Sequence, residues 1–448
     1  MPELSKNISR GLKAISCLTV YRKVFSDPIL QSFEEVLELM LNKEPAVVKK
    51  FFSFLGSLLD LRKGYNSPGI DIFKNHLLDT LLSVENSFTL ACEKEDLSSI
   101  DDILIEAVRS DLRLMKVIYD FDIPELMRHL KVEFESGDLM PDLESLVGCR
   151  ISKKGYPEHF FLKKALIKNT FSCSTQWDGN IADLQSYYKQ TGSGMFGRYW
   201  AFKWENSVDG PKLAGVANPD PIRIEDLVGY EDQQEQIIRN THQFVKGFSA
   251  NNLLLYGDRG TGKSSTIKSL IHIFGPEGLR IVEVSKHDLL SLHSIIQRVE
   301  GRAQRFILFI DDLSFEESET EYKDLKAILE GSIEKPPENV LVYATSNRRN
   351  LVREFFSDRE MDEVSSQDTY QEKLSLADRF GIKLVFPTPD KREFLRTVED
   401  IARKSGITMD KAKLHTLALE WVMWHNSRSG RTARQFVNDL KGRLDLER

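Results

Sequence analysis

Cysteine is scarce in this 448-residue chain. Its four thiols, Cys17, Cys92, Cys149 and Cys173, lie far apart and form no Cys-x-x-Cys pair. That spacing argues against a zinc site and a disulfide framework, and for a reducing compartment. Long apolar runs are missing too: none approaches the ~20 residues of a membrane helix. Positive charge is not in excess, since 61 Lys and Arg face 68 Asp and Glu for a net −7. No global basic field therefore draws the chain to nucleic acid or an anionic membrane, although a local basic patch is not excluded. Lys6, Arg10 and Lys13 precede a short apolar patch, "AISCLTV", which Arg22 and Lys23 break at once without a small-residue cleavage site. A secretory signal is not expected, and a cytoplasmic location is.

What remains is an ordinary globular composition, 41% hydrophobic and 29% charged, long enough for two or three domains. Residues 1 to 150 read as an all-α N-terminal domain. "PILQSFEEVLELMLNK" places Ile29, Leu30, Phe33, Val36, Leu37 and Met40 on one helical stripe. "PAVVKKFFSFLGSLLDL" and "DDILIEAVRSDLRLMKVIYDF" repeat the pattern. Such stripes are bundle core before they are a cofactor groove. Residues 151 to 220 read as a connector. Its "YYKQTGSGMFGRYWAFKWE" has aromatics interleaved with basic residues, a pattern that either stacks single-stranded bases or clasps a linker onto the next domain. In an acidic chain the clasp is the preferred reading. "NPDPIRIEDL" closes the connector at Pro221.

From 221 to 388, strands alternate with helices. "NLLLY", "RIVEVS", "RFILFID", "NVLVYATS" and "IKLVFP" are branched, apolar runs of the kind found in a parallel sheet covered on both faces. Residues 389 to 448 return to helix.

"LLLYGDRGTGKSSTIKSL" carries the chemistry. Gly257, Asp258, Arg259, Gly260, Thr261, Gly262, Lys263 and Ser264 fit GxxxxGK(S/T) without mismatch. Glycines let backbone N–H groups close on a triphosphate, and Lys263 sets a cation against its β and γ phosphates. Ser264 offers a hydroxyl to Mg²⁺, and Ser265 continues into the helix whose N-terminus adds partial positive charge. A plain glycine turn would not require the Lys-Ser pair. Downstream, "RFILFIDDLSFEE" ends a buried strand in Asp311, placed to hold the Mg²⁺ shell, and Asp312, placed to polarise water. The alternative is an acidic pair that caps the next helix.

"LVGYEDQQEQI", the phosphate loop, "ILFIDD", "VYATSN", "ADRFG" and "SGRTARQF" follow in one order. Over roughly residues 185 to 445 the chain resembles the AAA+ ATPases, and most closely a bacterial family of uncharacterised AAA-type ATP-binding proteins. The resemblance implies an α/β P-loop core with a parallel sheet, a small C-terminal helical lid, bound ATP and Mg²⁺, and hydrolysis within a homo-oligomer. It further implies remodelling of a protein client. A slow nucleotide-switched adaptor and a nucleic-acid accessory ATPase are the rival readings. Carried over by position, Ile224, Leu227, Val228, Gly229 and Tyr230 would line the adenine pocket. Asn347 resembles the sensor of the γ-phosphate, Arg379 an arginine finger, and Arg434 a lid sensor, with Arg431 its rival. Asp312 departs from the Glu usual in related ATPases and is one methylene shorter. For Asn347 the plainer role is a turn cap; for Arg379 and Arg434 it is a surface ion pair. The polar stretch "SDREMDEVSSQDTYQEK" before Arg379 reads as a loop that presents it.

Overall fold

The computed structural model describes residues 2–61, 71–133, 158–207, 210–315, 325–326, 328–329, 337–347, 376–425 and 427–446. Two compact units divide the chain, 1–198 and 199–448.

The first unit is helical. It contains α1 (Pro2–Ser16), α2 (Pro28–Leu41), α3 (Val47–Leu61), α4 (Ile72–Ser83), α5 (Ser87–Lys94), α6 (Asp102–Tyr119), α7 (Ile123–Glu133), α8 (Glu158–Cys173), α9 (Ile181–Thr191) and α10 (Gly194–Arg198). The apolar stripe of α2 is buried at Leu30, Phe33, Val36, Leu37 and Met40, while Ile29 sits at its margin. Phe33 meets the rings of Phe54, Phe73 and Phe121 at 5.7, 4.5 and 5.6 Å, so α2, α3, α4 and the turn before α7 share one aromatic centre. Asp27 starts α2 by accepting the N–H groups of Ile29 and Leu30. Asp111, buried on α6, accepts from the N–H groups of Thr19 and Tyr21 and from the Thr19 hydroxyl, and so fastens the chain after α1.

The second unit is built on a seven-stranded sheet. Its strands are β1 (Ala201–Ser207), β2 (Gly210–Val216), β3 (Leu253–Gly257), β4 (Leu279–Val284), β5 (Arg305–Ile310), β6 (Val340–Ser346) and β7 (Ile382–Phe386), in the order β2-β1-β4-β5-β6-β3-β7. Every pairing is parallel except the β1–β2 hairpin. Between the strands lie α11 (Glu231–Val245), α12 (Lys263–Phe274) and α13 (Leu292–Val299); after β7 come α14 (Lys391–Lys404), α15 (Lys411–His425) and α16 (Gly430–Leu446). The last three form the lid around Phe394, Val398, Ala418, Ala433, Phe436 and Val437. Asp390 and Glu393 begin α14 with a reciprocal capping box.

Residues 151–220 are not a connector of their own. Among the described residues, α8, α9 and the turn between them bury Phe171, Tyr188 and Trp177 in the core of the first unit, whereas β1 and β2 extend the sheet of the second. The physical reason is alternation: Phe202 and Trp204 point inward, Lys203 and Glu205 outward, which is the period of a strand. Trp200, Phe202 and Trp204 are held inside, with Tyr199 half-buried beside them. A Cβ on Gly275 would lie 2.6 Å from the Trp200 ring, and the Arg298 guanidinium stands 5.3 Å from the Trp204 ring. Buried rings are not available to stack bases.

Candidate functional site

The sheet brings its chemistry to one end. β3 runs into the phosphate loop, and α12 leaves it starting at Lys263. Gly257, Gly260 and Gly262 have φ of 138°, 79° and 96°, the left-handed side where a Cβ is disfavoured. At Gly257 space is also short, because a Cβ would fall 2.1 Å from the Phe386 carbonyl oxygen of β7.

Over this loop lies a cavity of about 570 Å³, walled by Arg259 to Thr266, by Asp311, Asp312, Thr345 and Asn347, and by Arg431 and Arg434 from α16. Gly257 and Asp258 stand behind the wall. Their carbonyls accept from Lys263 Nζ at 2.8 and 2.7 Å, which holds the ammonium against the loop at the cavity wall. Burial pushes the Lys263 pKa down, with the carboxylates of Asp258, Asp312 and Asp311 opposing that shift. Asp258 also accepts from the N–H and hydroxyl of Thr388, tying the loop to the chain after β7.

Asp311 directly follows β5, and its Oδ1 accepts from two hydroxyls: Ser264 at 2.5 Å and Thr345 at 2.6 Å. Asp312 follows with φ 52°, an uncommon conformation for a residue with a side chain. Its Oδ1 accepts from Asn347 Nδ2 at 2.5 Å, while Asn347 Oδ1 accepts from Lys263 Nζ at 3.3 Å. A chain of polar contacts thus runs from Lys263 through Asn347 to Asp312.

Of the residues carried over for the adenine pocket, Leu227, Val228 and Tyr230 reach the cavity wall; Ile224 and Gly229 are not among its lining residues. The Gly229 carbonyl instead accepts from Gln234 Nε2 at 2.9 Å. Tyr230 donates its hydroxyl to the Pro387 carbonyl and lays its ring 4.8 Å from Phe386. Burial, then the nearby Glu393 and Asp258 carboxylates, push its phenol up to about 12. Arg431 and Arg434 both line the cavity, so the lid supplies two guanidinium groups where the sequence left a choice of one. Arg379 is exposed and is not among the lining residues. Glu316 and Glu317, the next acids after Asp312 that could orient water in its place, and the polar stretch 357–373 lie outside the described residues.

Sequence reasoning missed Thr345, Gln234, Thr397 and Ile401, all of which line the cavity. For Thr345 a signal existed: two residues before Asn347 on a strand, it must share its face.

The residues present fit a magnesium nucleotide. The loop glycines leave a cradle that a Cβ would fill, Lys263 gives a cation, and Ser264 and Asp311 bring two oxygens together. Among the described residues no three His, Cys, Asp or Glu gather into a metal cluster. A magnesium ion needs only one or two protein oxygens when phosphates and waters complete its shell.

Strand order β7-β3-β6-β5-β4, the phosphate loop after β3 and the helical lid together define an AAA+ ATPase fold. The chain belongs to the family described as "Protein of unknown function (DUF815)", whose model matches residues 197–444, a little over half its length. It is 30% identical over 96 residues to the replication factor C large subunit of Nanoarchaeum equitans, covering 20% of this chain and 22% of that protein. It is 35% identical over 74 residues to human replication factor C subunit 4, covering 16% and 20%. The chain thus spans about a fifth of the length of these curated relatives. Among solved structures it is similar to the RuvB Holliday junction branch migration motor of Thermotoga maritima. The identity is 17% and the TM-score 0.36, over 50% of this chain and 66% of that one. It is also similar to the FIGL-1 AAA domain in complex with ADP, with 17% identity and a TM-score of 0.33 over 48% and 71%. The class assignment rests on strand order and loop geometry. Among the described residues no helix is long and apolar enough to cross a membrane.

Proposed function

We propose that this protein binds ATP with Mg²⁺ and hydrolyses it, and that turnover depends on assembly with a second copy of the chain. The observation that carries this reading is the meeting of Lys263, Ser264, Asp311, Asp312 and Asn347 around one cavity beneath two lid arginines. In this reading the phosphate loop and Lys263 hold the phosphates, and Ser264 and Asp311 hold the cation. Asp312 and Asn347 orient the attacking water, and Tyr230 and Val228 flank the base. Arg431 or Arg434 reports on the nucleotide from the lid. Arg379, exposed and away from the cavity, meets the γ-phosphate of a neighbouring subunit. A finger supplied in trans is worth ~10³-fold or more in rate.

The work done with that energy is remodelling of a protein client. A nucleic-acid client is the second reading, favoured by the short matches to replication factor C subunits. The burial of Trp200, Phe202 and Trp204 weighs against it, since those rings were its local support.

Phosphate release by the purified chain tests the proposal. Specific activity should rise with protein concentration, and Arg379→Ala should bind ATP yet turn over very slowly. Mixing it with Lys263→Ala should partly restore turnover, because an intact site then meets an intact finger. Co-assembly without rescue, or full activity as a monomer, would overturn the trans arrangement. Strong stimulation by single-stranded DNA, falling steeply with salt, would favour the nucleic-acid client.

A further inference from the structure

We infer that Thr345 is a positioning residue, a single hydroxyl that couples the cation-side carboxylate of Asp311 to the orientation of Asp312. The inference rests on the magnesium-nucleotide reading above. Thr345 lies on β6, is almost wholly buried, and sits beside the end of β5. Its hydroxyl has one proton and gives it to Asp311 Oδ1 at 2.6 Å. The same oxygen accepts the Asp312 N–H at 3.0 Å. The Thr345 main-chain carbonyl accepts the Leu313 N–H at 2.7 Å. Three consecutive residues after β5 are therefore fastened to one threonine.

The fastening falls where the backbone is least at ease. Asp312 holds φ 52°, a conformation that persists in a non-glycine residue only when its surroundings impose it. The Thr345 bonds on either side impose it, and the turn carries the Asp312 carboxylate to Asn347. On the other side, Thr345 and Ser264 hold the same oxygen of Asp311. When Ser264 turns to a cation, Thr345 is the hydroxyl left to fix that carboxylate. Removing the hydroxyl frees Asp311 to rotate and leaves the Asp312 N–H without its acceptor. One deletion thus disturbs both the cation and the water, whereas a change at Asp312 touches the water alone.

The test compares Thr345→Val, which keeps shape and loses the hydroxyl, with Thr345→Ser, which keeps the hydroxyl. A fluorescent ADP analogue is titrated into each full-length protein in EDTA, and Mg²⁺ is then titrated into the complex. Thr345→Val should bind the analogue within about twofold of wild type in EDTA. It should need about 10- to 100-fold more Mg²⁺, the usual effect of losing a hydrogen-bond partner of a metal-binding carboxylate. Its kcat for ATP should fall by a similar factor with little change in KM, and Thr345→Ser should restore both. A wild-type Mg²⁺ midpoint and kcat in Thr345→Val would overturn the assignment, as would a Ser variant no better than Val. If Val does not fold with a wild-type circular dichroism spectrum, Thr345→Ala replaces it under the same criteria. If wild type binds the analogue but releases no phosphate, the hydrolysis reading fails, and the Mg²⁺ titration still decides the role of Thr345.

Discussion

Two lysines, one in each unit, are both buried, both held by hydrogen bonds and both shifted downward in pKa. Lys168 of α8 is pushed to about 8 by burial, against the pull of Asp79, and lies 2.6 Å from that carboxylate and 2.8 Å from the Asn75 amide oxygen. Lys263 is held by two main-chain carbonyls and an amide oxygen, with its charge turned to a cavity. The first cation is neutralised inside its own fold; the second is oriented by neutral oxygens, so its charge is free to meet a phosphate. The two units repeat the lesson with aspartates. Asp111 is enclosed by groups that only the fold needs, and Asp311 is held from one side while the other faces the cavity. A buried, hydrogen-bonded ionisable group therefore points to function when its cage is left open.

Substitutions can break this contrast. Asp312→Asn should leave ATP binding intact and lower turnover by ~100-fold or more, the range of a lost general base; phosphate release under saturating ATP checks it. Unchanged hydrolysis would move the role elsewhere. Lys263→Ala should weaken Mg·ATP by about 10- to 100-fold, since bonds to charged groups contribute ~1.5–3 kcal/mol. Near-normal affinity in a folded variant would remove the phosphate-loop assignment.

In the other unit the expected effect is on stability alone. Lys168→Met should cost about 2 kcal/mol in urea unfolding, below the ~3–5 of a fully broken buried pair, because Lys164 still holds Asp79. Nucleotide affinity should not move. Charging Lys168 is unfavourable in the folded state, so between pH 8 and the ordinary lysine range the unfolded chain binds the extra proton. Stability contributed by Lys168 therefore rises as pH passes about 8, and the gap between wild type and Lys168→Met should widen there. The smallest effect is expected at Tyr230→Phe, which loses the bond to the Pro387 carbonyl. Stability in urea unfolding should fall by roughly 1 kcal/mol, the contribution of one hydrogen bond, with ATP affinity nearly unchanged.

Local signals were legible in the sequence and adjacency was not. The phosphate loop is contiguous, and its geometry follows from glycines and a lysine in one row. Five core strands are continuous branched apolar runs, the lid region reads as helix, and both stand where the sequence put them. Thr345 went unread because its partners, Asp311 and Asp312, lie more than thirty residues away and meet it only when β5 pairs with β6. The hairpin β1–β2 was hidden by its setting. Its alternation of Phe202, Lys203, Trp204 and Glu205 is strand-like, but the flanking glycines and basic residues gave it the look of a linker.

Gly260 has one more consequence. A Cβ there would stand 2.8 Å from the Ser429 hydroxyl and 3.3 Å from the Arg431 Cβ, and the Arg431 N–H already reaches the Gly260 carbonyl at 3.3 Å. The lid rests on the loop across a gap that only hydrogen fits. Gly260 thus works as a seat for the lid on the loop, and any bulk added there acts as a wedge. Gly260→Ala would strain the loop at its positive φ and press α16 away, displacing Arg431 and Arg434 from the cavity wall together with the loop itself.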